Sequence, residues 1–144
     1  AEIIYNNIVD TLEERKLFSG VDVDEKMIVM PVPIHQRKKR KRGYNHMELV
    51  AKRLKDLDQK GLLEVHTNIL VKNRDTGAQV KTNNKAERRR NIEDSFDIQN
   101  QYLVKDEVVL ILDDVVTTGA TMNECKTLVH KAGAREIFCL AICH

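Results

Sequence analysis

Tryptophan is absent from this 144-residue chain, and only three tyrosines and three phenylalanines stand in for it. Any interior built here has to be filled by aliphatic side chains. The same shortage weighs against a base-stacking platform for nucleic acid, which needs aromatic faces, and near the basic segments only Tyr44 is available. No apolar run reaches membrane-spanning length, and neither a signal peptide nor a lipidation motif is found, so no membrane insertion is expected and the chain reads as cytoplasmic. It does not begin with Met, as expected of a truncated or processed piece. The three cysteines, Cys125, Cys139 and Cys143, form no CxxC pair. Their odd count argues against a disulfide framework, and they read as reduced, mostly buried residues. Cys139 and Cys143 fall in the apolar pattern FCLAIC, which disfavours a catalytic thiol. Internal repeats and linkers are lacking too, and the length suits one α/β domain over residues 1–144, with residues 1–26 as an N-terminal helical cap.

Charge is balanced in total but segregated along the chain. Residues 37–90 carry 17 basic and 6 acidic side chains, net +11, against 7 and 16, net −9, elsewhere. A basic middle on an acidic frame implies an anionic partner.

Apolar residues at Ile4, Ile8 and Leu12 predict an amphipathic helix over Ile3 to Phe18. Met27 to Val32 is a short apolar run expected to form the first buried strand, closed by Pro31 and Pro33, each of which removes a ladder donor and stiffens the exit. Six consecutive basic residues, Arg37 to Arg42, follow. Asn45, with Glu48 three residues on, resembles a capping box for a helix continuing through Met47, Ala51, Leu54 and Leu57. The basic run is therefore expected in a loop between strand and helix, at the carboxyl edge of an open sheet. Leu62 to Val65 and Asn68 to Lys72, on either side of His66, read as one or two short strands. The polar, basic stretch Lys72 to Asn91 reads as a mobile loop running into a short helix. Ser95 to Ile98, an amphipathic helix from Met122 to Ala132 ended by Gly133, and a last strand from Glu136 to Cys143 complete the pattern.

The most informative stretch is VVLILDDVVTTGAT, Val108 to Thr121. Val108 to Leu112 is a continuous apolar run suited to a parallel strand buried on both faces. Asp113 and Asp114 stand where that strand is expected to end. Thr117, Thr118, Gly119, Ala120 and Thr121 then make a small-residue turn leading into a helix. Gly119 permits φ > 0 and close backbone approach, and the N–H groups and dipole at a helix start favour an anion. Carboxylates can accept hydrogen bonds from vicinal hydroxyls, and with Mg²⁺ they help balance a diphosphate. The arrangement fits a ribose 5-phosphate. It is neither a Walker A loop, since no Gly-Lys-Ser/Thr follows, nor a GxGxxG loop. The plainer alternative is a buried strand ending in a solvated Asp-Asp turn that only caps the next helix.

Four apolar residues, two acids and then apolar-x-T-T-G-x-T resemble the phosphoribosyl diphosphate (PRPP) motif of type I phosphoribosyltransferases. Taken with VPIHQRKKRKRGYN near the front, the R-D-T-x-x-Q spacing of Arg74 to Gln79 and AERRRN from Ala86 to Asn91, the chain from about residue 29 to 143 resembles the ComF family, linked to natural competence. The resemblance implies an α/β fold, a parallel-sheet type I phosphoribosyltransferase-like core flanked by helices, and a cytosolic protein working with a DNA-uptake helicase. It also implies that Asp113 and Asp114 hold the ribose hydroxyls and that Thr117 to Thr121 hold the 5-phosphate. The loop with Ile34, His35, Arg37 and Lys38 would take the pyrophosphate with Mg²⁺, and Lys85, Arg88 and Arg89 would lie on a loop closing over the site. Family members often carry a cysteine-rich, zinc-binding N-terminal part; no such cysteines occur here, so either this chain omits that part or this member lacks it.

Three readings stand at this point. One is a transferase or transferase-like protein that binds PRPP. A second is a binding protein that uses the pocket to sense PRPP while Arg40, Lys41, Arg42 and Arg90 hold single-stranded DNA. A third is a regulatory domain docking on a helicase. A homo-oligomer is compatible with each.

Overall fold

The computed structural model describes residues 1–19, 26–73, 95–115 and 119–143. In chain order the elements are helix α1 (Glu2–Ser19), strand β1 (Met27–Pro31), helices α2 (Gln36–Arg42) and α3 (His46–Leu57), and short strands β2 (Leu63–Val65), β3 (Leu70–Lys72) and β4 (Phe96–Ile98). A 3-10 turn at Gln101–Leu103, strand β5 (Val108–Val115), helix α4 (Ala120–Lys131) and strand β6 (Glu136–Cys143) follow. The four strands β2, β1, β5 and β6 lie side by side in that order, all parallel, and β3 pairs antiparallel with β4 in a separate two-stranded ribbon. Among the described residues, no helix is long and apolar enough to cross a membrane.

The two apolar runs singled out in the sequence become the two central strands. They are uninterrupted by charge because both faces are covered, as parallel sheets require. Side chains alternate between the faces. Met27, Val29, Val108, Leu110 and Leu112 pack with Ala51 and Leu54 of α3, Leu63 of β2 and Ile8 of α1. On the other face, Ile28, Met30, Val109 and Ile111 pack with Met122, Cys125 and Val129 of α4 and with Leu70, Phe96 and Ile98 of the ribbon. Among the described residues, no aromatic side chain stands with the fully buried ones of largest volume, which are aliphatic or Met. Gly133, just past α4, takes φ +91°, the left-handed position that ends a helix.

Two expectations are corrected. The run Arg37 to Arg42 is not a loop but the body of α2. His35 caps it through Nδ1, which accepts from the Arg37 backbone N–H at 3.3 Å, and Gly43 ends it at φ +83°, donating its N–H to the Lys39 carbonyl. Lys and Arg are good helix formers, and four cations in the last turn suit the negative end of the helix dipole. Mutual repulsion is further relieved because Lys39 Nζ meets both oxygens of Glu48 on α3, at 2.7 and 3.0 Å. The second correction concerns cysteine. Cys125 is buried as expected, but Cys139 is exposed. It lies on β6, which occupies the sheet edge, so the apolar pattern FCLAIC is only partly covered.

Asp58 joins three elements where α3 ends. Its carboxylate accepts from the backbone N–H groups of Leu62 (3.0 Å) and Leu63 (2.8 Å), and lies 3.4 Å from both Lys55 Nζ and the Tyr5 hydroxyl of α1. Burial alone would raise its pKa, but the Leu63 and Leu62 amides and Lys55 outweigh that and hold it below the ordinary carboxylate value. A depressed carboxylate stabilises the fold above its unfolded pKa of about 4 and loses that contribution as pH falls through the folded value. Asp58→Ala is expected to cost about 1–3 kcal/mol at pH 7 by stranding two amides. In urea unfolding, the gap between variant and wild type narrows below pH 4; a pH-independent gap contradicts this assignment.

Candidate functional site

Because β1 and β5 are adjacent and parallel, both chains leave the sheet at the same edge. Their register runs from Met27 opposite Val108 to Pro31 opposite Leu112, and the Val32 N–H then donates to the Leu112 carbonyl at 2.8 Å. From β1 the chain continues through Pro33, Ile34 and His35 into α2. From β5, which carries Asp113 and Asp114 among its last residues, it continues towards Gly119 and α4. Ile34, His35 and Arg37 therefore share one sheet edge with Asp113, Asp114, Gly119, Ala120 and Thr121. Thr117, Thr118, Lys85, Arg88, Arg89 and Arg90 lie outside the described residues, as does most of the stretch expected to be a mobile loop. For Lys38 only the backbone position in α2 is described. Arg40, Lys41 and Arg42 are exposed at the last turn of α2.

The loop between β1 and α3 is pinned by Asn45, which is 2% exposed. Its Oδ1 accepts from the Met47 N–H at 3.1 Å, capping α3 as the sequence predicts, while Nδ2 donates to the Val32 carbonyl at 3.0 Å. One amide thus satisfies a helix end and the exit of the central strand together. Glu48, the expected reciprocal partner in a capping box, grips Lys39.

The acid pair lies within the strand and not at the point after Leu112 where the sequence reading expects the strand to end. Strand β5 runs on to Val115, with Asp113 opposite Ala141 of β6. Alternation puts successive residues on opposite faces, so the two acids are not equivalent. Asp113 follows Val109 and Ile111 onto the α4 side and is 8% exposed, whereas Asp114 is exposed. Burial pushes the Asp113 carboxyl up to about 6, and the charge of Asp114 adds to the rise. The Asp114 backbone N–H, donated to Asp113 Oδ1 at 2.9 Å, and the cation of Lys72 oppose it.

Helix α4 begins at Gly119, whose φ of +72° is a left-handed conformation that a side chain would strain. Its carbonyl accepts from the Asn123 N–H at 2.8 Å, and Gly119, having no side chain, does not itself cap the helix. An anion at this end meets backbone N–H groups and the positive end of the helix dipole.

Two residues that the sequence reading passed over belong to this neighbourhood. Lys72, at the end of β3, holds Nζ 4.7 Å from the centroid of the Phe96 ring, and its charge acts on Asp113 and Cys125. Glu124 of α4 reaches the start of β4, where its Oε1 accepts from Ser95 and Phe96 N–H at 2.8 and 3.1 Å. Neither carries a motif; each is identified only by what the ribbon packs against.

The phosphoribosyl transferase domain family matches residues 41–144. Competence protein F of Haemophilus influenzae is 33% identical over 113 residues, 76% of this chain and 46% of the relative. DNA utilization protein YhgH of Escherichia coli O157:H7 is 27% identical over 135 residues, 92% of this chain and 56% of the relative. The chain thus spans about half the length of the curated relatives it matches. Among solved structures, glutamine phosphoribosylpyrophosphate amidotransferase from B. subtilis aligns with a TM-score of 0.48 at 17% identity, over 88% of this chain and 24% of that one. With its sheet, its acid pair and the family match over most of its length, the chain belongs to the phosphoribosyl transferase domain family, in the ComF type represented by competence protein F.

Proposed function

We propose that the shared carboxyl edge of β1 and β5 binds PRPP, as part of a ComF-type protein linked to DNA uptake. The observation that carries this reading is the adjacency of the two strand exits, which sets two carboxylates, a left-handed glycine at a helix start and the beginning of a cationic helix at one edge. In this reading the ribose hydroxyls donate to Asp113 and Asp114. The 5-phosphate sits in the turn at Thr117 to Thr121, and the diphosphate lies against Ile34, His35, Arg37 and Lys38. Lys85, Arg88 and Arg89 close the site and exclude water. Departure of diphosphate from C1 of the ribose leaves oxocarbenium character on the sugar, and cationic side chains near the diphosphate oxygens stabilise the charge that departs. Mg²⁺ would enter with PRPP and neutralise diphosphate charge. The hard carboxylate oxygens at the edge suit a cation that takes most of its ligands from phosphate and water.

The relatives' names, competence protein F and DNA utilization protein, support a place in DNA uptake; a cytoplasmic location and an uptake helicase as partner belong to the same proposal. A second role rests on α2 itself. Lys39 is engaged by Glu48, and the diphosphate accounts for the start of the helix, which leaves Arg40, Lys41 and Arg42 as exposed cations beyond what one PRPP molecule uses. Together with Arg90 they suit the backbone of single-stranded DNA.

Calorimetric titration with PRPP and Mg²⁺ tests the site. The double variant Asp113→Asn, Asp114→Asn is expected to fold and to lose about 10- to 100-fold in PRPP affinity, the range for charge-assisted hydrogen bonds. Unchanged affinity in the folded variant overturns the assignment.

Asp113→Asn alone is expected to trade binding for stability. A carboxyl with a raised folded pKa stabilises below its unfolded value near 4 and loses that contribution as pH rises through about 6. The asparagine variant, which avoids that loss, should be more stable than wild type above pH 6, by about 1–3 kcal/mol, and comparable near pH 4. Thermal melts across pH 4–8 measure the difference, and a variant less stable at pH 8 refutes it.

For nucleic acid, single-stranded DNA affinity should fall steeply with salt, each neutralised phosphate contributing about −0.7 to the slope of log K against log salt. Replacing Arg40, Lys41 and Arg42 with Ala should reduce the slope by about two units while PRPP binding persists. A triple variant that loses PRPP and keeps its DNA slope removes α2 from the DNA role.

A further inference from the structure

The carboxylate of Glu124 is used in an unusual way for a helix residue one and a half turns into α4. It does not face solvent but accepts two consecutive backbone N–H groups, from Ser95 and Phe96, where the chain enters β4. Ser95 is fully buried, so those amides depend on a protein acceptor. The same junction closes from the other side: the Asn73 N–H donates to the Ser95 carbonyl at 2.8 Å, and Lys72 stands in register with Phe96, its ammonium over the ring. Glu124 therefore grips the point at which the β3–β4 ribbon is joined.

The other end of α4 is the site itself. Gly119, the helix start, precedes Glu124 by five residues, about 7.5 Å along a helix. One short rigid element carries the phosphate end and the acceptor that holds the ribbon. Met122 and Cys125, on the same helix, pack into the cluster that contains Phe96 and Leu70 of the ribbon and Ile111 of β5. A shift of α4 that accompanies ligand binding would move Glu124, and with it Ser95, Phe96 and the Lys72 ammonium.

We propose that Glu124 is a positioning residue of the PRPP site: it couples the phosphate-binding end of α4 to the base of the β3–β4 ribbon, so that ligand at the helix start tightens the ribbon and a gripped ribbon supports ligand binding. The coupling is reciprocal, as linkage between two equilibria requires. The inference rests on the PRPP reading above and adds a residue that touches no part of the ligand. Glutamine serves the same purpose as glutamate, because its carbonyl oxygen can accept both N–H groups; alanine cannot.

The test combines calorimetry with amide hydrogen exchange read by NMR, on the full chain with PRPP and Mg²⁺. In the wild type, PRPP should slow exchange at Ser95 and Phe96 by at least about tenfold. Glu124→Gln should bind PRPP within about threefold of wild type and retain that protection. Glu124→Ala should bind about tenfold or more weakly under conditions where it is fully folded, and PRPP should no longer protect the two amides. A purely structural Glu124 predicts a different pattern: a lower melting temperature for Glu124→Ala with unchanged PRPP affinity in the folded protein, and that result overturns the proposal. Where Glu124→Ala does not fold, the wild type decides, because exchange at Ser95 and Phe96 that ignores bound PRPP refutes the coupling directly. Absence of PRPP binding by the wild type overturns the site reading instead, and this proposal with it.

Discussion

The pairing of β1 with β5 is the constraint on which the rest of the molecule depends. Two charge-free apolar segments far apart in sequence lie side by side in parallel, each buried on both faces, and a parallel pair can only be connected by long crossovers. Right-handed crossovers that run outward from β1 to β2 and, in the opposite direction along the sheet, from β5 to β6 send α3 to one face and α4 to the other. The pairing also fixes where polar chemistry can appear. Within the paired length every side chain of β1 is buried, so functional groups first emerge past it, where β1 ends and β5 runs on through Asp113 and Asp114.

The site is assembled at a cost to the fold. Asp113 is held in a nearly water-free position beside a second carboxylate, with an amide and a distant ammonium as compensation. A well-packed apolar residue there would serve the sheet better. Asn45 works in the opposite sense: it is buried and polar, but its two amide atoms are each matched to a backbone group of a different element, so it both stabilises and aligns the loop leading to α2. One buried polar group is strained by its surroundings and the other is satisfied by them, and both stand beside the strand exits.

Helix α2 shows how local rules can be outweighed. Six successive cations suggest a segment that repels itself into an extended loop. Helical geometry spreads those charges around a cylinder, the dipole rewards cations at the carboxyl end, a histidine and a glycine supply the caps, and Glu48 from the next helix neutralises the middle of the run. Three of these four factors are local and could be seen in the sequence in hindsight; the Glu48 pairing is tertiary.

The sequence by itself determined the two central strands, the helix at Asn45 and the left-handed end at Gly133, because each depends on short-range patterning or on the conformational freedom of one residue. Tertiary structure alone decided three further matters. It set the inequivalence of Asp113 and Asp114, since neighbouring residues on an extended strand face different layers and only packing says which layer is dry. Sheet order left Cys139 exposed at an edge. Packing of α4 on the β3–β4 ribbon gave Glu124 its partners, and pairing within the ribbon set Lys72 over Phe96, contacts between segments far apart in sequence for which no periodicity or motif exists in the chain.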